Sequence, residues 1–348
     1  MESVRCFVLH ISLFLLVAAS ANVNHYVSGG MPPNVIVAKD GSGQYMTVTA
    51  GINSYPANYK GQYVIYVKAG IYNEYITVDD KKPNIILYGD GPTNTIITGS
   101  KNCNQGLQMK DTATFTTFAP NFTAKSISFE NTAGAIGMQA VAIRVGGDKS
   151  AFFDCAFHGH QDTLYVDRGF QFYRECVISG TIDFIYGHSS TLIQNSKILL
   201  RKPLDRQSNV VVADGTAQYN RFKTGIVLQN CSIIPDDDLK PYLNIIKTYL
   251  ARPWDQFSTA VFLQNYIADF VDREGYMIWS KKQPNIEHPY FAEFGNTGPG
   301  ANATARVYWA KGLITKKAAS VFTAERFINA STWLPATGIP YDNGLRLT

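Results

Sequence analysis

The chain has 348 residues, of which 45% are hydrophobic and only 17% are charged, so it can build a large core. This composition excludes an intrinsically disordered protein and a long coiled coil. The 31 basic and 27 acidic side chains give a net charge of +4, without the concentrated basic stripe of nucleic-acid-binding proteins. Aromatic residues make up 13% of the chain and favour strands over helical bundles.

The first 21 residues have the pattern of an export signal. Arg5 precedes an apolar run over residues 7–17, and small residues follow up to Ala21, as at a cleavage site. The run is shorter than the roughly 20 residues that a membrane span needs. Four N-x-S/T sequons, of the kind that secreted glycoproteins carry, begin at Asn121, Asn230, Asn302 and Asn329. The sequence therefore predicts a secreted protein.

Few helices and many short strands follow along the chain. A helix is predicted over residues 46–55, after an Asp-Gly-Ser-Gly turn. Apolar segments bounded by Gly, Asn and Asp then predict strands over residues 63–67, 75–78, 84–88, 95–98, 126–129 and 140–145.

The second half repeats a unit in which a small residue is followed two positions later by an apolar one. The small residue stands at Cys155, Cys176, Ser196 and Cys231, at intervals of 21, 20 and 35 residues. Such recurrence suits a solenoid of stacked coils. A sandwich or barrel would need tight hairpins, and few hairpin turns separate the units. We predict an all-β parallel β-helix with a short N-terminal helix and a C-terminal tail of loops and helices.

Stacked coils would also bring two of the cysteines together. Equivalent positions of adjacent coils lie about 4.8 Å apart, which is within the Cα range of a disulfide. We therefore hypothesise a bridge between Cys155 and Cys176. No cysteine spacing typical of a zinc site occurs in the chain.

Two aspartates repeat at the same interval as these cysteines. Asp162 and Asp183 are 21 residues apart, so stacking would place them on neighbouring coils of one face. Two carboxyl groups in an apolar environment cannot both ionise freely, so one becomes an acid and the other a nucleophile or base. The alternative is that both are turn residues that satisfy backbone N–H groups.

Other site chemistries fit the sequence less well. His158, His160 and Asp162 alternate, so one strand face could hold a metal, although no further His or Cys cluster supports it. The acidic run 236–238 fits a solvated loop better than a calcium site. No G-x-S-x-G element of a serine esterase occurs, and the Asp-Thr-Gly pair of an aspartic protease is missing.

The chain resembles the plant pectin methylesterases (pectinesterases) over nearly all of its length after the signal. The resemblance rests on five ordered motifs: N-T-A-G at 131–134, Q-A-V-A-I-R at 139–144, Q-D-T-L-Y at 161–165, G-T-I-D-F-I-Y-G at 180–187 and L-A-R-P-W at 250–254. It implies a right-handed parallel β-helix and one catalytic domain over residues 22–348. It also implies the short form without an inhibitor-like pro-region, with a pollen-type member as one alternative.

The resemblance further implies an activity and a location. The activity is hydrolysis of the methyl ester of homogalacturonan to a free carboxylate and methanol, without a cofactor or metal. The protein would be secreted to the cell wall or apoplast, where it would act as a monomer on pectin and could meet a proteinaceous inhibitor. No nucleic-acid or membrane partner is implied.

The same resemblance assigns roles to particular residues. Asp183 would be the nucleophile, and Asp162 the proton donor and then the base. Gln161 and Gln139 would stabilise the oxyanion, and Arg252 would hold Asp183 ionised. An aromatic surface for the sugar rings and the methyl group would consist of Tyr165, Tyr186, Trp254 and Trp279, with Gln139 and Arg252 also contacting substrate.

Several residues depart from the family pattern. Ala251 stands in place of a glycine, Tyr186 of a phenylalanine, His188 of an asparagine and Met109 of a threonine. Ser196 replaces a cysteine that often pairs with the equivalent of Cys231. Two alternatives from other classes stay open: a related β-helix lyase or glycosidase acting on the same polymer, and a non-catalytic pectin-binding protein.

Overall fold

The computed structural model describes residues 32–219 and 224–346. The export signal predicted over residues 1–21 lies outside the described residues. No helix in the described part of the chain is long and apolar enough to span a bilayer.

Strands dominate the described chain. In chain order they are β1 (Val35–Val37), β2 (Tyr63–Val67), β3 (Gly70–Asn73), β4 (Ile76–Val78), β5 (Ile85–Tyr88), β6 (Thr95–Gly99), β7 (Phe115–Thr117), β8 (Thr123–Lys125), β9 (Ser128–Asn131), β10 (Ile143–Val145), β11 (Ser150–Phe153), β12 (Ala156–His158), β13 (Leu164–Val166), β14 (Phe170–Arg174), β15 (Val177–Gly180), β16 (Ile185–Gly187), β17 (Ser190–Gln194), β18 (Lys197–Leu200), β19 (Asn209–Asp214), β20 (Gly225–Gln229), β21 (Ser232–Pro235), β22 (Thr248–Ala251), β23 (Thr259–Leu263), β24 (Tyr266–Ile267), β25 (Tyr290–Phe294) and β26 (Gly312–Leu313). The α-helices among the described residues are α1 (Val48–Asn53), α2 (Lys316–Ala319) and α3 (Ala324–Ile328).

The strands form three parallel sheets. Sheet 1 has the order β1-β2-β5-β8-β11-β14-β17-β20-β23-β25-β26, sheet 2 the order β4-β7-β10-β13-β16-β19-β22, and sheet 3 the order β3-β6-β9-β12-β15-β18-β21-β24. In the central coils the chain passes from sheet 1 to sheet 3 to sheet 2 and then begins the next coil. The winding is right-handed, as parallel crossovers almost always are. This confirms the predicted parallel β-helix.

Like residues stack on like in the core because adjacent coils are in register. Phe157 pairs with Ile178 and with Phe129, and the Phe129 and Phe157 rings stack with centroids 5.8 Å apart. Phe152 and Tyr173 stack at 4.8 Å with nearly parallel planes. Stacked aromatic pairs add stabilisation beyond the area that they bury.

The predicted elements agree with the structure in kind and differ at their ends. Helix α1 lies inside the predicted 46–55 and is capped by the Thr47 hydroxyl, which accepts a hydrogen bond from the Ala50 N–H. Strand β2 has the predicted bounds, whereas β9 and β10 begin two and three residues later than predicted. The residues before β10 belong to the loop that carries Gln139, which makes only an isolated bridge to the next coil.

The predicted C-terminal tail of loops and helices is present, and it covers the outer face of sheet 1. Helices α2 and α3 pack there with apolar residues such as Trp333 and Leu334. The final residues run across three coils, where the side chains of Gln194, Gln229 and Gln264 donate hydrogen bonds to backbone carbonyls of the tail. Sheet 1 is therefore buried on both faces, which explains its runs of consecutive apolar residues.

The cysteine repeat marks equivalent positions, but the hypothesised disulfide is wrong. Cys155 and Cys176 directly precede paired residues of adjacent coils, and both are buried free thiols. Each thiol donates to a carbonyl two residues back on its own coil, at 3.4 and 3.3 Å respectively. In-register parallel strands direct equivalent side chains alongside each other, whereas a disulfide needs them to converge.

Lys125 is a buried basic side chain on the outer face of sheet 1, and its burial affects the stability of the fold. It is only 2% exposed, and no described carboxylate lies within ion-pair distance. Burial lowers the pKa of Lys125 to about 8. The unfolded chain then binds a proton more readily between about pH 8 and 10, so stability should rise with pH over that window.

We expect Lys125→Met to raise the free energy of unfolding at pH 7 by about 3–4 kcal/mol, since the pKa falls from 10.5 to about 8 and one pKa unit corresponds to about 1.4 kcal/mol. The gain should shrink towards zero near pH 10. Urea unfolding at both pH values measures it, with exposed Lys317→Met as the control. An equal effect of the two substitutions at pH 7 would contradict the assignment.

Candidate active site

The candidate site lies on the outer face of sheet 2. Tyr165, Tyr186 and Ala213 project from successive strands at paired positions. Beside them is a cavity of about 210 Å³, lined by Met109, Gln139, Gln161, Asp162, Asp183, Tyr186, Ala213, Arg252, Trp254 and Trp279. Eight of the nine site residues predicted from the sequence therefore line one cavity. Tyr165 lies behind it, stacked on the Tyr186 ring at 4.6 Å.

The two aspartates occupy equivalent turns of adjacent coils. Asp162 precedes β13 and Asp183 precedes β16, and the Asp162 N–H donates to the Ile182 carbonyl at 3.1 Å. Both residues are in the left-handed backbone region, with φ of 63° and 50°. Asp tolerates this conformation better than most residues because its short side chain can bond locally. Both are thus turn residues, and their carboxyl groups also reach the cavity.

Arg252 gives the carboxyl groups of Asp162 and Asp183 different electrostatic environments. Its Nε donates to Asp183 Oδ1 at 2.8 Å and its Nη2 donates to Oδ2, so the contact is bidentate. Burial raises the pKa of Asp183, and the charge and hydrogen bonds of Arg252 oppose that rise. Burial and the neighbouring Asp183 charge raise the pKa of Asp162 well above its ordinary value. The charge and hydrogen bonds of Arg252 therefore favour ionisation of Asp183 over ionisation of Asp162.

Two amide side chains stand at the edge of this pair. Gln139 and Gln161 face each other across adjacent coils, linked by the Ala140 N–H, which donates to the Gln161 carbonyl at 3.1 Å. No hydrogen bond within the described residues engages either side-chain amide. Both NH₂ groups are thus free to donate to a ligand oxygen in the cavity.

Aromatic rings form the opposite wall. Trp254 and Trp279 are stacked with centroids 6.4 Å apart, and the Arg252 guanidinium lies over the Trp279 ring at 4.3 Å. Arg252 is thereby fixed between a carboxylate and a ring. Two departures from the family pattern contact each other here, because the Tyr186 hydroxyl donates to the Met109 sulfur.

The remaining departures also have identifiable contacts. The His188 ring packs on Trp254 at 4.7 Å. Ala251 is buried at the end of β22, paired with Val212. The Ser196 hydroxyl accepts from the Cys176 N–H at 3.1 Å and donates to the Gln194 carbonyl, while Cys231 remains a free thiol.

Ala213 is a lining residue that the sequence did not reveal. It pairs with Tyr186, and its methyl side chain leaves room for the cavity between Tyr186 and Arg252. The offset between these coils is 27 residues instead of 21, so no simple repeat pointed to it.

The histidines of the alternative metal site face elsewhere. His158 and His160 line a separate polar cleft of about 400 Å³ with Arg201 and Asp236, and the His158 ring is bonded to the Ser179 hydroxyl at 2.8 Å. Burial and Arg201 lower the pKa of His160 to about 4. No group of three potential metal ligands occurs among the described residues. Asp236 and Asp238 lie beside Arg201 at 3.9 and 3.7 Å.

Known proteins resemble this chain in sequence and in fold. Pectinesterase 4 of Arabidopsis thaliana is 44% identical over 316 residues, which cover 90% of this chain and 53% of the relative. A pectinesterase of Petunia integrifolia is 43% identical over 317 residues, covering 90% of this chain and 84% of the relative. The structure of a pectin methylesterase from carrot superposes with a TM-score of 0.88 at 41% identity, covering 90% of this chain and 99% of the other.

These matches cover most of this chain but only part of several relatives. The chain spans about half the length of several curated relatives, including 53% of the first named above. The Pectinesterase family model matches residues 34–331, which include every residue that lines the cavity. The chain belongs to the pectinesterase family.

Proposed function

We propose that this chain is an esterase that hydrolyses the methyl ester of galacturonosyl residues in pectin, giving a free carboxylate and methanol. The observation that carries the proposal is the unequal carboxyl pair, in which Arg252 holds only Asp183 bidentately. The cavity of about 210 Å³ combines this pair with amide donors and aromatic rings, as an ester of a sugar acid requires.

The acylation step uses the ionised member of the pair. An Asp183 oxygen attacks the carbonyl carbon of the ester, and the carbonyl oxygen gains negative charge that the Gln161 and Gln139 amides stabilise. Collapse of this intermediate breaks the bond to the methoxy oxygen, which takes the Asp162 proton and leaves as methanol. An acyl-enzyme anhydride on Asp183 and an ionised Asp162 remain.

The second step regenerates both groups. Asp162, now ionised, removes a proton from a water molecule that attacks the acyl carbon. The bond to Asp183 breaks, so the carboxylate of Asp183 returns to Arg252 and the sugar leaves as a free acid. Asp162 has then recovered its proton, and no cofactor or metal is needed.

The proposal extends to substrate contacts, partners and location. Trp254 and Trp279 would receive sugar rings, with Tyr186 supported from behind by Tyr165. A proteinaceous inhibitor would have to cover this open cavity. The export pattern of residues 1–21 suits a secreted enzyme. The proposal places it in the cell wall as a monomer whose catalytic domain spans residues 22–348.

The reaction products separate this function from its alternatives. An esterase releases methanol and leaves the polymer length unchanged, whereas a lyase gives unsaturated ends and a glycosidase gives shorter chains. A non-catalytic pectin-binding protein would bind the polymer and release nothing.

Asp183→Ala is expected to reduce methanol release from methylated pectin by about 10⁴-fold or more, because it removes the nucleophile. Methanol is measured at saturating substrate, with Asp237→Asn as the matched control, since Asp237 lies on an exposed loop and pairs with Lys240. Equal release by wild type and Asp183→Ala would refute the assigned nucleophile.

Gln161→Ala is expected to lower kcat by about 10²-fold while KM changes little, because an oxyanion donor acts mainly in the transition state. Steady-state kinetics on methylated oligogalacturonides measure both constants. Exposed Gln256→Ala serves as the control. A rise in KM at constant kcat would instead make Gln161 a ground-state binding residue.

Arg252→Gln is expected to move the acidic limb of the kcat/KM pH profile to higher pH. Arg252 opposes the rise in the pKa of Asp183, so its loss raises that pKa and the nucleophile ionises only at higher pH. Rates measured between pH 4 and 8 test this. A uniform loss at every pH would show that Arg252 only positions Asp183.

A further inference from the structure

Arg144 continues the outer column of sheet 2 on the side of Tyr186 that is opposite Arg252. It pairs with Tyr165, which in turn pairs with Tyr186. The Arg144 Cζ atom lies 5.3 Å from the centre of the Tyr165 ring, and that ring stacks on Tyr186 at the wall of the cavity. Because adjacent coils are about 4.8 Å apart, Arg144 lies only two coils from the ring that lines the cavity.

A second arginine reaches the same place from the turn after β13. Arg168 is exposed, and its Nε donates to the Gly146 carbonyl at 3.2 Å. The Arg168 and Arg144 Cζ atoms lie 5.5 and 5.1 Å from the centre of one ring, that of Phe118. A Cβ atom on Gly146 would lie 2.8 Å from this ring, so glycine allows the ring to approach the coil. Phe118 thus holds two guanidinium groups beside each other.

Only one of these two cations is neutralised by a carboxylate. Nε and Nη2 of Arg144 both donate to Asp167 Oδ2, at 2.9 and 2.7 Å. A second carboxylate close to this turn belongs to Asp148, whose Oδ1 accepts from the Phe170 N–H at 2.9 Å. Among the described residues, no carboxylate forms an ion pair with Arg168, and no acceptor engages its Nη atoms or Nη1 of Arg144. These nitrogen atoms can therefore donate to a ligand.

The ligand that suits these donors is a carboxylate. Arginine presents parallel N–H groups that match the two oxygens of a carboxylate, and it stays charged across the physiological pH range. In pectin, each galacturonosyl residue that lacks its methyl ester carries such a group. A methyl ester is neutral and cannot form the charged pair. The two arginines therefore distinguish a free acid from an ester.

We propose that Arg168, together with Nη1 of Arg144, binds a free carboxylate of the same pectin chain whose methyl ester occupies the cavity. The inference rests on the proposed function, because it assumes that the cavity receives this polymer. An ester that lies a few sugar units from a free acid is then bound more tightly than an ester in a fully esterified chain. Since Arg168 is exposed, the contribution is modest and decreases as the salt concentration rises.

The kinetic test uses two oligogalacturonides of equal length, one fully methyl-esterified and one partly de-esterified. We expect the wild-type kcat/KM per ester to be about three- to fivefold higher for the partly de-esterified oligomer, mainly through KM, because an exposed ion pair contributes weakly. In Arg168→Gln the ratio of the two kcat/KM values should fall towards one. Arg326→Gln is the matched control, because Arg326 is an exposed arginine on α3, and it should keep the wild-type ratio. An equal ratio in wild type and Arg168→Gln would overturn the proposal.

A second readout does not depend on turnover. Calorimetry at low salt measures the Kd of a fully de-esterified oligogalacturonide, which should rise about three- to fivefold in Arg168→Gln and stay at the wild-type value in Arg326→Gln. An unchanged Kd in Arg168→Gln would refute the carboxylate subsite. If wild type released no methanol but bound this oligomer through Arg168, the proposed function would fail and the subsite would stand. If wild type released methanol and Arg168→Gln matched it in both measurements, the function would stand and the subsite would fail.

Discussion

Backbone hydrogen bonding between successive coils, at a spacing of about 4.8 Å, determines where most side chains of this molecule lie. The register that it imposes puts each residue next to its equivalent in the following coil, as in the pairs Leu164–Ile185 and Phe157–Ile178. Aromatic stacks, turn residues and thiols therefore all form columns. The carboxyl pair of the site is one more column, made from two turns that would otherwise only connect sheets.

The chemistry proposed for that pair depends on breaking the equivalence of the column. Asp162 and Asp183 have the same backbone conformation and similar burial, so stacking alone gives two matching acids. Arg252, which is 69 residues from Asp183 in the chain, contacts only one of them. In the proposed chemistry a single guanidinium would thus separate an acid from a nucleophile, because an opposite charge favours ionisation only where it is close.

The aromatic wall and the buried Asp214 make contacts between neighbouring coils around this site. The Tyr186 hydroxyl donates to the Met109 sulfur, so the contact gives that hydroxyl a partner at the wall of the cavity. The carbonyl of Asp214 accepts from the Trp254 N–H, and its Oδ1 accepts from the Thr259 N–H. Both features lie outside the reacting groups and next to the surface that would receive the sugar.

The repeat in the sequence determined the coil and the column of Asp162 and Asp183, because a solenoid converts a fixed spacing along the chain into proximity and the spacing of 21 residues is visible. The other predicted residues round the cavity followed from the family resemblance and not from the spacing. Tertiary structure alone decided that Cys155 and Cys176 are free thiols, since thiol direction depends on local hydrogen bonds. It also placed Ala213 in the cavity and Asp214 beneath it, because the longer loops before β19 change the offset from 21 to 27 residues and hide that register from any periodic pattern.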